Sequence, residues 1–368
     1  MAQTEQQSTG SEQNVEFTYY NRAKLEREKG KRGENKGIPM PSGWKRMKKI
    51  LPNIQPKYYT ILSDSGVGKS KYGHFLFMYN TFFQFIKEDI KDFELWLYTC
   101  EMSITEVIGE FHALYYYIKV GKITDIDQIY SYGDNKITPE LDKFLASDEV
   151  IAITNKLEQK VHIINERISS GFLYKEIQRI AKENGTIKTK DGRFDSYTKN
   201  NPDKWIVIIF DNFQKLNRSK SENTLRESIV KVSAYMDVGR LLFDFVTVAM
   251  QQVNRNNKSF DRYKYEQFFH KEEDLKDSEA PFHDCQVCFS QISPFKLDLD
   301  EFDGYKIKGS KSFKDRFRAV KLIKNRGGQA YGVDYFRFIG ENSTYEEIPY
   351  SEDFTDKDYK ALKELKKE

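Results

Sequence analysis

The chain reads as an α/β fold with a mainly parallel sheet covered on both faces, and two observations predict it. From residue 37 onward, short apolar runs alternate with amphipathic helical stretches, as expected of parallel strands joined by helical crossovers. The run Tyr58-Tyr59-Thr60-Ile61-Leu62 leads into Ser63-Asp64-Ser65-Gly66-Val67-Gly68-Lys69-Ser70 and then into an apolar segment, Tyr72 to Ile86. That is a phosphate-binding loop between strand and helix. Its glycines let backbone N–H groups turn toward an anion, Lys69 can reach β- and γ-phosphates, and the Ser70 hydroxyl suits Mg²⁺. Ser63 stands where the motif G-x-x-x-x-G-K-[ST] has glycine, a position that shapes the start of the loop and does not touch phosphate.

Taken in order, strands are expected at 58–62, 94–100, 161–164, 205–210, 245–250, 285–292, 318–324 and 331–338. The run Trp205-Ile206-Val207-Ile208-Ile209-Phe210 has no polar break and reads as a strand buried on both faces. The last two strands flank Asn325-Arg326-Gly327-Gly328, a tight turn, and predict an antiparallel C-terminal hairpin. Helices fill most gaps, at 72–88, 104–119, 173–183 and 224–240, where apolar residues recur at helical spacing. Segment 184–204 is polar, with Gly185, Gly192 and Pro202, and reads as an inserted loop or hairpin. Cys285 and Cys288 fall in one expected strand, where residues three apart face opposite ways, so the pair does not read as a metal site.

Domain organisation follows from composition. Residues 1–14, rich in Gln, Ser, Thr and Glu, are expected to be disordered, and the whole of 1–36 is a tail with a charged linker or docking helix. Residues 37–345 form the core domain, and 346–368 a charged C-terminal tail. The 368 residues carry 59 Lys+Arg against 56 Asp+Glu, so any nucleic-acid surface must come from local clustering rather than net charge. No apolar run is long enough to span a membrane, the N-terminus is polar, and three cysteines cannot all pair. A soluble cytoplasmic protein without membrane partners is expected.

Asp211 follows the apolar strand at 205–210, where a carboxylate can hold Mg²⁺ together with Ser70. Glu101 ends another strand, where it can orient and deprotonate an attacking water or cap the next helix. Two loops mix cations with aromatics in the way that suits phosphates and stacked bases. One holds Lys215, Arg218, Lys220 and Arg226, and the other holds Arg255, Lys258, Arg262 and Lys264 with Tyr263, Tyr265, Phe268 and Phe269. The competing reading of both is two solvated loops.

In motif order, from about Gly37 to Phe338, the chain resembles the C-terminal RecA-like ATPase domain of DnaB-type replicative helicases (superfamily 4), a P-loop NTPase fold. Gly37-Ile38-Pro39 with Gly43-Trp44 is similar to the segment ahead of the P-loop strand, Glu101-Met102-Ser103 to the acidic "LEM" element, and Asp211 to Leu216 to the Walker B segment "DYLQL". Val248 to Arg255 resembles "ALSQLNR", Asp274 to Ser278 with Asp284 resembles "DLRES…D", and Lys321 to Gly328 resembles "IGKQRNG". The resemblance implies ATP and Mg²⁺ as cofactors, held by residues 63–70 and by Ser70 with Asp211. It implies Glu101 as catalytic base, Gln252 as γ-phosphate sensor, and Lys324 and Arg326 as cations lent to a neighbouring subunit's nucleotide. Gln251 and Glu279 depart from the family pattern, which has Ser and Gly there.

The implied function is an ATP-dependent replicative DNA helicase translocating on single-stranded DNA as a ring homo-oligomer, a hexamer. The short N-terminal segment suggests a compact replicon such as a phage, acting in the host cytoplasm, with primase or a helicase loader as separate partners. Two alternatives stay open: a RecA/RadA-like recombination ATPase, and a non-hydrolysing ATP-binding scaffold or loader.

Overall fold

The structure, a computed structural model, describes residues 19–32, 36–254, 260–309, 312–330 and 332–361, in two units that divide after Lys36. In the first unit, Tyr19–Lys31 is a charged helix with an exposed Lys31–Glu28 ion pair at 3.0 Å. The stretch expected to be disordered, 1–14, lies outside the described residues.

The second unit is built on nine strands: β1 (Tyr58–Ser63), β2 (Asp92–Thr99), β3 (Val161–Ile164), β4 (Lys204–Asp211), β5 (Val246–Gln252), β6 (Val287–Ile292), β7 (Phe317–Asn325), β8 (Val333–Ile339) and β9 (Thr344–Glu347). Across the sheet they run β9-β8-β7-β6-β1-β5-β4-β2-β3. From β6 to β3 every pairing is parallel, whereas β6, β7, β8 and β9 pair antiparallel. The expected hairpin is therefore present and extended by one more strand.

Alternation along the strands explains the layering, because successive side chains point to opposite faces. Tyr59 and Ile61, Leu95 and Leu97, and Val207 and Ile209 pack on one face. That face is covered by α1 (Lys69–Gly73), its π-helical continuation His74–Tyr79, α2 (Asn80–Ile86), α3 (Ile104–Val120) and α4 (Asp148–Lys160). Tyr58 and Leu62 with Ile206, Ile208 and Phe210 face the other way, under α5 (Ser170–Asn184) and α6 (Leu225–Phe243). With both faces buried, the central strands need no polar side.

Of the loop and hairpin readings of segment 184–204, the structure shows the hairpin, Gly185–Lys190 against Arg193–Lys199. Three details depart from the sequence expectation. The helix after the phosphate loop begins at Lys69 rather than Tyr72, so the lysine lies on its first turn. Strand β9 crosses the boundary drawn at 345, and Tyr359 of the short helix Asp356–Ala361 is buried against Phe313 and Phe354, so this stretch belongs to the core rather than to a tail. Strand β6 begins only at Val287, which leaves Cys285 outside the pleat and lets its thiol meet that of Cys288; both are buried, and among the described residues no further ligand joins them.

Candidate functional site

Because β1, β5, β4 and β2 are adjacent and parallel, their C-terminal ends share one rim. Ser63 is the register partner of Gln252, and Thr99 that of Asp211. The phosphate loop leaves this rim from β1. Gly66 and Gly68 sit at φ 72° and 102°, where glycine carries none of the steric penalty of a side chain. A Cβ on Gly68 would also lie 2.8 Å from the Tyr345 hydroxyl, so close packing demands glycine there as well. Asp64 accepts the Val67 N–H and the Ser63 hydroxyl at its carbonyl, closing the turn.

Behind the loop stands a brace that the sequence did not reveal. Arg318 of β7, 1% exposed, donates from Nε to the Val67 carbonyl at 2.6 Å. Tyr345 of β9 donates its hydroxyl to the Gly68 carbonyl at 2.9 Å and accepts from Gln291 of β6 at 2.7 Å. Lys296 donates to the Gly66 carbonyl. Each sits in an otherwise ordinary stretch, and nothing in one sequence marks a buried arginine as a loop support.

Lys69 is 6% exposed; burial pushes its ammonium down from the usual lysine range, and the negative charges of Asp211 and Glu101 oppose that push. Both carboxylates therefore act on the Lys69 charge from the same rim. Asp211 is fully buried, and neither carboxylate oxygen has a hydrogen-bond partner among the described residues. The buried His74 lies close to it, with Nε2 4.0 Å from Oδ2 and Nδ1 3.5 Å from Glu110 on its other side. Glu110 is held at about 2: burial would raise it, but His74 and Lys71, the latter 2.9 Å away, outweigh that. A buried carboxylate without a hydrogen-bond partner fits a divalent cation, which would supply that partner together with the Ser70 hydroxyl of the phosphate loop.

Glu101 is exposed on the turn after β2, where its backbone N–H and that of Met102 both donate to Thr99 Oγ1 at 3.3 and 3.2 Å. Capping of α3 falls to Ser103 and Glu106 in a capping box, so Glu101 does not cap it. Gln252 borders a cavity of about 550 Å³ beside the loop, with Asp64, Ser65, Asn254, Lys276 and Lys296 among its lining residues.

Lys324 and Arg326 lie on the opposite rim. Cys288 is the register partner of Lys324, and Val287 that of Tyr59 near the start of β1. From Tyr59 to Ser63 is roughly 13 Å of strand at about 3.3 Å per residue. In the single chain both cations rest on the helix Ala280–Asp284: Lys324 donates to the Phe282 and His283 carbonyls, and Arg326 to that of His283 at 2.8 Å. They do not meet their own phosphate loop.

Of the expected nucleic-acid contacts, Lys215 is half-buried, while Arg218, Lys220 and Lys264 are exposed. The loop bearing the first three is held by Glu222, which accepts from the Ser170 and Ser228 hydroxyls and the Ser219 N–H. Arg255 and Lys258 lie outside the described residues. Arg262 is corrected: it is 8% exposed and bidentate on the buried Asp274, with both contacts at 2.7 Å, so its charge is spent inside the fold.

A mainly parallel sheet with a phosphate loop, two rim carboxylates and an antiparallel flank defines the RecA-like ATPase fold. Among solved structures the chain resembles a DnaB-like replicative helicase, a structure that also concerns its interactions with primase, at TM-score 0.62 and 15% identity over 91% of this chain and 68% of that one. It resembles a second solved structure, that of an ATPase domain, with the same score and identity, over 91% of this chain and 100% of that one. No protein-family model and no curated sequence matches the chain. No helix among the described residues is long and apolar enough to cross a membrane.

Proposed function

We propose that the chain is an ATP hydrolase that drives a DNA helicase, assembled head to tail as a ring homo-oligomer, a hexamer as in the family it resembles, and translocating on single-stranded DNA. One observation carries this reading: the buried Lys69 and the unpaired Asp211 share one rim of the sheet, while Lys324 and Arg326 sit on the other, out of reach of the same loop.

In this mechanism the backbone of residues 63–70 and the Lys69 ammonium hold the triphosphate. Mg²⁺, for which Ser70 and Asp211 would supply the protein ligands, offsets phosphate charge when bound. Glu101 orients a water and takes its proton as the water attacks the γ-phosphorus. Gln252, beside the loop on β5, senses whether the γ-phosphate is present and passes this to the segment that follows it. Phosphoryl transfer spreads negative charge over the γ-oxygens, and an arginine placed there contributes about 10³–10⁵ in rate. Arg326, with Lys324, supplies the balancing positive charge to the site of an adjacent copy after releasing the His283 carbonyl. Lys215, Arg218, Lys220 and Lys264 are the cations for the DNA backbone among the described residues. Primase or a loader would act as a separate partner.

The test is ATP turnover, with and without single-stranded DNA, of Lys69→Ala and Arg326→Ala alone and mixed. Shared sites predict that each is inactive alone and that the mixture regains DNA-stimulated turnover. A mixture as inactive as its components refutes the sharing of sites. A wild type that binds ATP without turning it over supports the scaffold reading instead, and filaments in place of closed rings support the recombinase reading.

A further inference from the structure

One buried side chain at the nucleotide rim has no part in the mechanism above. His270, 2% exposed, ends the segment Phe260–His270 that follows β5, and it fastens that segment to β6. Its backbone N–H donates to Ser290 Oγ at 2.9 Å, and its Nδ1 lies 2.8 Å from the same oxygen. With the Ser290 hydroxyl donating to Nδ1, the ring N–H is carried by Nε2. Nε2 faces Asp64 Oδ2 at 3.6 Å, and Asp64 is the second residue of the phosphate loop. One imidazole thus bridges the first half of that loop and the segment carrying the exposed Lys264 and Tyr265.

Three further contacts hold the segment. Arg262 anchors it to Asp274, the Tyr263 hydroxyl donates to the Leu297 carbonyl, and Phe268 is buried against Phe302. The cavity of about 550 Å³ beside Asp64 gives the loop room to move on that side.

We propose that His270 is a positioning residue that couples occupancy of segment 260–271 by single-stranded DNA to the geometry of the phosphate loop, through Asp64. This rests on the proposed DNA-stimulated ATPase. DNA phosphates on Lys264 and a base stacked on Tyr265 draw the segment into one position, and the His270–Asp64 contact draws the loop with it. Coupling is reciprocal, so ATP must tighten DNA binding by the factor by which DNA tightens ATP binding, about 5–150-fold in typical cases.

The experiment uses the full chain with Mg²⁺, labelled oligothymidylate and a non-hydrolysable ATP analogue, together with kcat and KM for ATP. Wild type is expected to bind oligothymidylate at least about 5-fold tighter with the analogue present. His270→Phe brings that factor close to one while DNA-free kcat and KM stay at wild-type values. His270→Gln, whose amide N–H reaches the position of Nε2, restores it. Asp64→Ala tests the same pair from the loop side and stays informative should His270→Phe fail to fold; it lowers the coupling equally, and the double variant lowers it no further. Full coupling in both single variants overturns the inference and leaves the ATPase reading intact. Absence of ATP turnover in wild type overturns both.

Discussion

Replacing Arg318 with methionine removes the guanidinium that supports the phosphate loop while keeping most of the side-chain volume, so the cavity contribution is small. The lost interactions are defined. Nε gives up the Val67 carbonyl at 2.6 Å, and Nη1 gives up the Asp315 and Phe317 carbonyls at 2.7 and 2.8 Å. The cation also leaves the Phe338 ring, whose centroid is 4.5 Å away. A hydrogen bond to a charged group is worth about 1.5–3 kcal/mol net, and a desolvated cation–π contact about 2 kcal/mol. Against these stands relief from burying a charge, several kcal/mol per ion, which is why burial pushes Arg318 below the usual arginine range. Asp315 is 45% exposed, so the change strands no buried carboxylate. The balance is a loss of about 2 kcal/mol, carried by the lost charge-assisted bonds to the Val67, Asp315 and Phe317 carbonyls, of which the Val67 carbonyl keeps only the longer 3.4 Å bond from Gln291. Urea unfolding reads the stability, and ATP titration reads the loop, where affinity should fall about tenfold, the equivalent of about 1.4 kcal/mol. A variant that unfolds and binds ATP as wild type does would refute the brace.

Three more outcomes follow from the geometry. Glu101→Gln should lower kcat by about 10²–10⁴ with ATP affinity within a few-fold of wild type, measured by steady-state turnover and titration; equal loss in both would assign Glu101 to binding. Gly68→Ala forces a Cβ onto the Tyr345 hydroxyl at a positive φ and should cost about 1–3 kcal/mol with loss of ATP binding, read by thermal unfolding and nucleotide titration. Glu94 is held at about 2 by His162, then by Lys204 and Asn184, against its own burial. A lowered carboxyl stabilises the fold above its unfolded value near 4.5 and loses that contribution as pH falls toward 2, so Glu94→Gln should flatten the acid limb of the stability profile across that window.

The fold was legible where burial is two-sided. All eight expected strands are present; runs such as Trp205 to Phe210, with no polar interruption, sit in the middle of the sheet, and the shorter runs at 161–164 and 331–338 lie toward its edges. What escaped notice is half-polar. Strand β9 reads Thr-Tyr-Glu-Glu, and α4, not among the expected helices, buries only Val150, Ile153 and Leu157 along one face. The loop lysine and both rim carboxylates were readable because each follows a strand that the sequence announces. Arg262 was misread, since a cation beside aromatics looks the same whether it meets a phosphate or its own buried Asp274. The supports Arg318, Gln291, Tyr345 and His270 lie far from the loop in sequence and become neighbours only through strand order.

If Lys324 and Arg326 are the cations lent to a neighbour, their place on the rim opposite the phosphate loop gives each copy a socket at one end and a plug at the other. Under the proposed sharing, a lone molecule contains no finished reaction centre, and an open row of n copies has n − 1 of them, with one spare half at each terminus. Closure alone brings that number to n. Turnover per molecule should therefore climb with concentration and level off once the last gap is sealed, which makes assembly itself the switch that keeps unassembled copies from consuming fuel.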